Sequence, residues 1–299
     1  MSPLKHEAYD LFPRWARLSL AYERSLPNHP GKRTILRALY RLIDRTGRPF
    51  VWRMQNGALL AISPGEGLAP WTVGWQCFQH GVWEAHVERA LRDLLGPGDV
   101  GYDIGANLGY FSAVMSQAVG PSGRVVAFEP VPSTFARLSL CRELNDYTQL
   151  TPLLTAVGAT RGEIELSFDP RLPGDASSYE RPHAQGSSRL RVPISPLDVL
   201  VETHDLPRPS VIKIDVEGHE LAVLEGAMRT LENHRPKLVF ELNAAMSRQA
   251  GWQPSDLVSL LRGAAPYRFF LLGATGPTPV ELGQLELDES SYVDILALP

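Results

Sequence analysis

Short apolar segments alternate with segments of helical period from about residue 100 to the end of the chain. Several of the apolar segments contain few polar residues, as expected for strands that are buried on both faces. The strands predicted in this way cover 100–104, 124–128, 150–157, 211–216, 237–242, 267–272 and 292–298. The helical segments between them lie near 109–119, 133–144, 196–203, 218–233 and 255–262. This alternation predicts an α/β fold: a doubly wound, mostly parallel, seven-stranded sheet with helices on both faces.

Turn residues support these boundaries, because Gly120 follows one predicted helix, Ser133 opens the next and Pro236 precedes a strand. The first hundred residues show a different pattern. A broken helical stretch precedes a linker at 27–31, and a helix is expected over 34–44. The pair Asn56-Gly57 predicts the tight turn of a hairpin. A helix over 82–95 then leads into the first strand of the sheet.

We therefore divide the chain into a mainly helical N-terminal extension at 1–80 and one sheet domain at 81–299. Within that domain, residues 169–188 are rich in Pro, Ser, Gly and Asp. This composition predicts an irregular surface insertion.

Composition and charge are those of an ordinary globular protein and narrow the classes of partner. Of 299 residues, 44% are apolar and 21% are charged, which excludes a disordered or collagen-like chain. The formal net charge of −4 provides no field that would draw the chain onto nucleic acid or an anionic membrane. Cys77 and Cys141 form no Cys-x-x-Cys pair. We expect a cytoplasmic protein with no nucleic-acid or membrane partner.

The most informative segment is 100–111, where a predicted strand passes through a glycine-bearing turn into a helix. Its glycines, Gly105 and Gly109, would let a ligand approach the backbone. Their spacing is not the Gly-x-Gly-x-x-Gly pattern that holds a pyrophosphate at a helix N-terminus. Asp103 would repel a pyrophosphate but attract the cationic amine of an amino-acid-like cofactor. Glu129, at the end of the next predicted strand, can accept hydrogen bonds from both ribose hydroxyls of an adenosine.

Together these features favour S-adenosylmethionine, a nucleoside cofactor without phosphates. A structural alternative remains open for each acid. Asp103 could instead cap a helix, and Glu129 could be a solvated charge at a strand end.

Several segments now carry a resemblance to a known family. In chain order they are Gly81-Val-Trp-Glu84, Asp103-Ile-Gly-Ala-Asn-Leu-Gly-Tyr-Phe-Ser112, Phe128-Glu-Pro130, Pro196-Leu-Asp-Val-Leu200, Ile212-Lys-Ile-Asp-Val-Glu-Gly-His-Glu220 and Val223-Leu-Glu-Gly226. Over about residues 80–243 the chain resembles the FkbM family of S-adenosylmethionine-dependent methyltransferases. The resemblance implies the Rossmann-like class I methyltransferase sheet, whose last strand is antiparallel, and O-methylation as the usual reaction. It gives no information on 1–75 or 169–188, where we expect substrate identity to reside.

Most of the candidate cofactor contacts lie in these segments. The candidate cofactor-binding residues are Glu84, Asp103, Gly105, Ala106, Asn107, Gly109, Tyr110, Phe111, Glu129, Pro130, Ser133, Ala156, Val157 and Asp215.

Polar residues follow the fourth and fifth predicted strands, at the sheet edge where ligands bind in open α/β sheets. Methyl transfer to a hydroxyl requires an acceptor oxygen held in line and a group that takes its proton. The candidate catalytic residues are Asp215, Glu217, His219 and Glu241. Alternative roles are open for all four of them. Asp215 can line the cofactor site, and Glu217 can satisfy amides at a helix start. His219 can cap a helix or face solvent, and Glu241 can orient a neighbour.

Three further features of the sequence require interpretation. Asp215, Glu241 and Asn243 offer ligands for a divalent metal, although we do not expect one to be required. Lys213 is expected to pair with an acid at the sheet edge. His80, His86 and His183 are assigned to the surface or the core, with a place in the acceptor pocket left open for His86.

The leading hypothesis is an S-adenosylmethionine-dependent methyltransferase that acts on a hydroxyl of a small natural product or glycan. The alternatives are a carboxylate O-methyltransferase, a nicotinamide-dependent oxidoreductase and a noncatalytic cofactor-binding protein. The N-terminal helices are compatible with a pocket lid or with the contact of a homodimer.

Overall fold

A computed structural model of the chain describes residues 50–62, 73, 76–77, 81–169, 172–177, 188–285, 287–288 and 291–299. The helices expected before residue 50 lie outside these residues. The same is true of His80, His183 and much of the expected insertion at 169–188.

Strands and helices alternate along the described chain. The strands are β1 Phe50–Arg53, β2 Leu59–Ile62, β3 Val100–Ile104, β4 Arg124–Phe128, β5 Leu150–Leu153, β6 Ala156–Val157, β7 Gly162–Asp169, β8 Leu172–Ser177, β9 Ser188–Ser195, β10 Val211–Ile214, β11 Lys237–Asn243, β12 Arg268–Gly273, β13 Gly276–Pro279 and β14 Tyr292–Leu298. The helices are α1 Ala85–Leu94, α2 Tyr110–Val119, α3 Pro132–Leu144, α4 Leu197–Thr203, α5 Glu220–Glu225, α6 Met228–His234, α7 Ala244–Gln249 and α8 Pro254–Ala264, with a 3-10 turn at Leu282–Gln284.

An eight-stranded sheet with the order β13-β12-β14-β11-β10-β3-β4-β5 forms the centre of the molecule. Within it β14 runs antiparallel to both its neighbours, β11 and β12, and β3, β4, β5, β10 and β11 are parallel. The predicted doubly wound sheet with a reversed last strand is confirmed. The edge strand β13 is an eighth strand that the prediction lacked. The strand order reverses between β3 and β10, which marks the point where ligands bind in such sheets.

Alternate residues of the central strands enter two separate apolar cores. On one side Val239 and Leu296 pack with α1, α2 and the hairpin β1–β2. On the other side Leu238 and Ala297 pack with α4, α5, α6 and α8. We call these sides the α1 face and the α8 face. The position of a residue within its strand therefore decides which group of helices it meets.

The hairpin predicted at Asn56-Gly57 is confirmed, since β1 and β2 pair in antiparallel register. Asn145, at the end of α3, fixes it to the sheet domain. Its Oδ1 accepts the N–H of Leu59 at 2.8 Å, and its Nδ2 donates to the carbonyl of Leu59 at 2.8 Å. Residues of this hairpin share the core of the α1 face. The boundary at residue 80 stays a prediction.

The third predicted strand, 150–157, is wrong as a single strand. The chain turns after β5, where the N–H of Thr155 donates to the carbonyl of Leu153 at 3.1 Å. It then enters a second sheet with the order β6-β9-β7-β8. Residues 172–177 are strand β8 in that sheet, so the irregular insertion expected at 169–188 is corrected there. One side of this second sheet is buried. Its buried residues include Leu166, Val192 and Ile194, which alternate along their strands with more exposed residues.

Three helix predictions also need correction. The predicted helix 218–233 is divided into α5 and α6, because Asp198 accepts the N–H groups of Arg229 and Thr230 at 2.8 and 2.9 Å and so caps a new helix. Ser133 does not open α3, which begins at Pro132. Helix α7 was not predicted.

Candidate active site

The turn between β3 and α2 is formed by two glycines with positive φ, 80° at Gly105 and 95° at Gly109. A Cβ at Gly105 would overlap the backbone carbonyl of Asp215, and one at Gly109 would lie 2.9 Å from Cδ1 of Leu138. Packing of the turn on β10 and α3 therefore accounts for both glycines. The sequence analysis had explained them by the approach of a ligand.

Glu129 lies at the end of β4, beside this turn, and is nearly buried. Its Oε2 accepts the N–H of Asn107 at 2.9 Å, and its Oε1 accepts the N–H of Val131 at 2.9 Å. Burial raises the pKa of Glu129 to about 7, although the two backbone donors oppose that shift. The carboxylate is held in a fixed orientation at the carboxyl edge of the sheet.

A buried lysine joins two aspartates at the point where β3 meets β10. Lys213 donates to Oδ2 of Asp215 at 3.0 Å and lies 4.0 Å from Oδ1 of Asp103. Asp103 is fully buried; its Oδ2 accepts the Ser112 hydroxyl at 2.6 Å, whereas its Oδ1 has no hydrogen-bond partner among the described residues. Burial opposes the charge of Lys213, but Asp215 and Asp103 together raise its pKa above the usual range. The expected pairing of Lys213 with an acid at this edge is confirmed.

Strand register places further carboxylates on the same face. Lys213 lies opposite Val239, and Glu241 is two residues beyond Val239. Because side chains two residues apart in a strand share a face, Glu241 lies on the α1 face. Its cross-strand partner on β14, Asp294, does so as well.

Five acidic residues meet at this edge, and we call them the carboxylate cluster: Glu84, Asp215, Glu217, Glu241 and Asp294. Burial raises the pKa of Glu241 to about 10, with further contributions from the other four. Burial, followed by the charges of Asp294 and Asp215, also raises the pKa of Glu84 well above its usual value. In the absence of a bound cation, Glu241 therefore retains its proton at neutral pH.

Asp294 was missed in the sequence analysis, although a signal for it existed. An antiparallel last strand enters the sheet at the edge where the parallel strands end, so its first residues must lie there. His86, close to the start of α1, bonds to it: His86 Nε2 and Asp294 Oδ2 are 2.6 Å apart.

The loop between β10 and α5 is held by Glu220. Its Oε1 accepts the N–H groups of Val216 and Gly218 at 3.3 and 3.1 Å. Glu220 thus has the role at this helix start that was expected of Glu217, whose own role stays a prediction. Glu217 has a φ of 52° within the loop. Burial raises the pKa of Glu220 to about 8.

His219 directly precedes α5 at its N-cap position, and the buried apolar residues of α5 belong to the core of the α8 face. A Cβ on Gly158 would lie 3.7 Å from its Cδ2. Burial lowers the pKa of His219. The histidine thus lies next to the segment that follows β6, and its part in proton transfer stays a prediction.

The remaining candidates occupy several environments, and their roles as cofactor contacts stay predictions. The Tyr110 hydroxyl donates to Glu88, and the ring of Phe111 lies 4.6 Å from Lys213 Nζ. Ala106 is buried at the glycine turn, Ser133 is exposed, and Pro130 is partly buried. Ala156 and Val157 pair with β9 in the second sheet.

The proposed metal ligands do not form a metal site in the described part of the chain. There, no group of three or more His, Cys, Asp and Glu residues could hold an ion. The Oδ1 atom of Asn243 instead accepts the N–H of Met246 at 3.2 Å and caps α7. The described residues also include no helix long and apolar enough to cross a membrane.

The strand order, the reversed β14 and the acid at the end of β4 are those of a class I methyltransferase. A family model described as the methyltransferase FkbM domain matches residues 103–269, which are 167 of the 299 residues. The chain belongs to this family, and it is a methyltransferase.

Two characterised relatives and one solved structure illustrate the similarity. The hexuronic acid methyltransferase AglP of Haloferax volcanii is 34% identical over 181 residues, which cover 60% of this chain and 69% of that protein. Methyltransferase 1 of Beauveria bassiana is 29% identical over 141 residues, covering 42% of this chain and 56% of that protein. The crystal structure of a methyltransferase FkbM from Methylobacillus flagellatus KT has a TM-score of 0.44 and 16% identity, and the match covers 89% of this chain and 59% of that one. The chain thus spans less than two thirds of the last two proteins.

Proposed function

We propose that this chain is an S-adenosylmethionine-dependent O-methyltransferase that acts on a hydroxyl of a glycan or a small natural product. The observation that carries the proposal is the carboxylate cluster beside the glycine turn, at the point where the strand order reverses. Membership of the family identifies the reaction as methyl transfer. The charge and geometry of this edge support S-adenosylmethionine as the cofactor and a hydroxyl as the acceptor.

The residues at this edge match the charge of S-adenosylmethionine, which carries a positive sulfonium and a positive ammonium group. Burial and mutual repulsion make the cluster unfavourable when fully ionised, so a bound cation would stabilise it. The unpartnered Oδ1 of Asp103 provides a further acceptor near the turn. The pyrophosphate of a nicotinamide dinucleotide would be repelled by the same groups, which argues against an oxidoreductase.

Glu129 is suited to bind the ribose. Each of its oxygens accepts one backbone N–H, and a carboxylate oxygen has a second lone pair. Two lone pairs therefore remain for the two ribose hydroxyls of an adenosine, the role that an acid at the end of the second strand has in nucleoside-binding sheets.

The cofactor supplies a methyl group on sulfur, which is a good leaving group. The protein must then hold the acceptor oxygen in line, exclude water and remove a proton. Asp215, fixed by Lys213, and Glu241 are placed to orient the acceptor by hydrogen bonds. A neutral hydroxyl suits this edge better than a carboxylate, because an anionic acceptor would add to the repulsion among the acids.

The relative named a hexuronic acid methyltransferase suggests uronic acids as acceptor probes, since they carry both hydroxyls and a carboxylate. The purified protein would be incubated with methyl-labelled S-adenosylmethionine and methyl glucuronide, with methyl glucoside in parallel. We expect a labelled methyl ether that resists mild alkali. An alkali-labile ester would instead identify a carboxylate as the acceptor. Failure to bind S-adenosylmethionine at all would contradict the proposal.

A further inference from the structure

A histidine and a buried aspartate form a hydrogen-bonded pair on the acceptor side of the carboxylate cluster. Resting on the function proposed above, we propose that His86, oriented by Asp294, accepts the proton of the acceptor hydroxyl during methyl transfer. His86 is then a catalytic residue, and Asp294 is a positioning residue.

The geometry of the pair is that of a general base and the group that orients it. His86 Nε2 lies 2.6 Å from Asp294 Oδ2, and the two side chains are 29% and 7% exposed. The aspartate is therefore shielded while part of the imidazole remains open to a ligand. When Nε2–H donates to the carboxylate, Nδ1 of the neutral ring is free to accept a proton.

The strands place this pair within reach of an acceptor. Asp294 lies opposite Glu241 in the β11–β14 register. Tyr292 lies two residues before Asp294 and therefore shares its face. Tyr292 is 58% exposed, and its pKa is raised by burial and by the charges of Glu84, Glu241 and Asp294. Its ring offers an open apolar surface beside the acids, on which a sugar ring can lie.

The titratable groups that interact electrostatically with Asp294, the partner of His86, are Glu84 before α1, Glu241 on β11 and Tyr292 on β14. Lys213 and Asp215 at β10 and Glu217 in the following loop interact in turn with Glu84. Arg89, on the next turn of α1, donates to the carbonyl of Ala274 at 2.8 Å and so points away along β12.

The other candidate bases are less suited to accept a proton. Asp215 is already held in an ion pair by Lys213 Nζ at 3.0 Å. In the free protein Glu241 holds a proton at neutral pH until a cation binds, since burial raises its pKa to about 10. His219 directly precedes a helix of the α8 face, beside Gly158.

The step balances without any additional reactant. A lone pair of the acceptor oxygen forms the bond to the methyl carbon, and the carbon–sulfur bond breaks with its electron pair left on sulfur. The hydroxyl proton passes to Nδ1 of His86. Asp294 stabilises the imidazolium, which returns the proton to water through its exposed edge.

The first test does not depend on turnover. Protein with ¹⁵N-labelled histidine would be titrated by NMR in complex with S-adenosylhomocysteine, with the spectrum of His86→Gln assigning the His86 signals. We expect a neutral ring protonated on Nε2, and a weaker preference for that tautomer in Asp294→Asn, because the charged acceptor of the Nε2–H is replaced by a neutral amide. A ring protonated on Nδ1, or one still fully charged at pH 9, would overturn the proposal.

The second test uses the pH dependence of kcat with the acceptor probe that is turned over. His86→Gln should lower kcat at least tenfold and remove the acidic limb of the profile, while the Kd of S-adenosylmethionine changes less than twofold. His204→Gln, at an exposed histidine after α4, is the matched control and should change neither. An unchanged acidic limb in His86→Gln would overturn the inference, and so would a methyl ester product, while leaving the proposed cofactor intact. Loss of cofactor binding by the unmodified protein would instead overturn the proposed function.

Discussion

Lys213 is a buried cation that balances part of the negative charge at the active-site edge. Its Nζ lies 3.0 Å from Asp215 and 4.0 Å from Asp103. The same Nζ lies 4.6 Å from the centroid of the Phe111 ring. Removing one partner of a buried ion pair leaves an uncompensated charge, which is costly.

The variant Lys213→Met is therefore predicted to lose about 3 kcal/mol of unfolding free energy at pH 7.5, measured by urea denaturation. The loss should be smaller at lower pH, because burial raises the pKa of Asp103, which can then take up a proton. Arg229→Met is the control: Arg229 makes exposed ion pairs with Asp198 and Glu202, so the expected change is about 1 kcal/mol or less. Equal losses for the two variants would contradict the role given to Lys213.

Glu220 provides a second prediction at the scale of a residue. Its pKa is raised to about 8 in the folded protein, against about 4.5 unfolded, so the folded state binds more protons between those values and loses stability as pH rises through them. Glu220→Gln keeps an oxygen for the N–H groups of Val216 and Gly218 but cannot ionise. We expect the variant to gain a few kcal/mol relative to the unmodified protein between pH 5 and pH 8, since one pKa unit corresponds to about 1.4 kcal/mol. Urea denaturation at several pH values measures this difference. A difference in unfolding free energy that stays constant across the range would contradict the prediction.

At the scale of elements, the glycine turn fixes the distance between β3 and β10. Gly105→Ala should cost about 3 kcal/mol or more, because it combines left-handed strain with overlap against the carbonyl of Asp215. Gly251→Ala is a matched control, since Gly251 has a φ of 83° and a Cβ there would meet nothing within 4 Å. Its cost should be about 1 kcal/mol, from strain alone. Thermal or urea unfolding of both variants checks the difference, and similar costs would show that the overlap is relieved.

The elements that were predicted correctly are those whose local pattern agrees with their surroundings. The strands β3, β4 and β14 are buried on both faces along most of their length, and their predicted bounds match the structure. The break after β5 was not predicted, because it depends on pairing of β6 with β9 more than thirty residues later.

The candidate site was predictable only as far as strand ends could be ordered. Asp215 and Glu241 were found because each follows a buried parallel strand. Asp294 was missed because it starts a strand rather than ending one. The role of Glu220 was not predicted, because sequence spacing alone cannot show that its carboxylate turns back to the amides of Val216 and Gly218.

At the scale of the whole molecule, the buried acids link cofactor binding to pH. A bound cation lowers the pKa of Glu241 and Glu84, so binding should release protons wherever those groups are protonated in the free protein. The affinity for S-adenosylmethionine is therefore predicted to rise between pH 6 and pH 9. Titrations in buffers of different ionisation enthalpy would count the released protons, and affinity that falls with rising pH would contradict the proposed charge balance.

The most direct test of the central claim is calorimetric titration of the purified protein with S-adenosylmethionine, with S-adenosylhomocysteine and NAD⁺ in parallel, each with and without a chelator. We predict saturable binding of the two S-adenosyl compounds, no binding of NAD⁺, and no effect of the chelator. Glu129→Gln should weaken the binding of both S-adenosyl compounds to the same extent, because both carry the same ribose. Binding of NAD⁺ instead, or of none of the three, would contradict the account of this edge as an S-adenosylmethionine site.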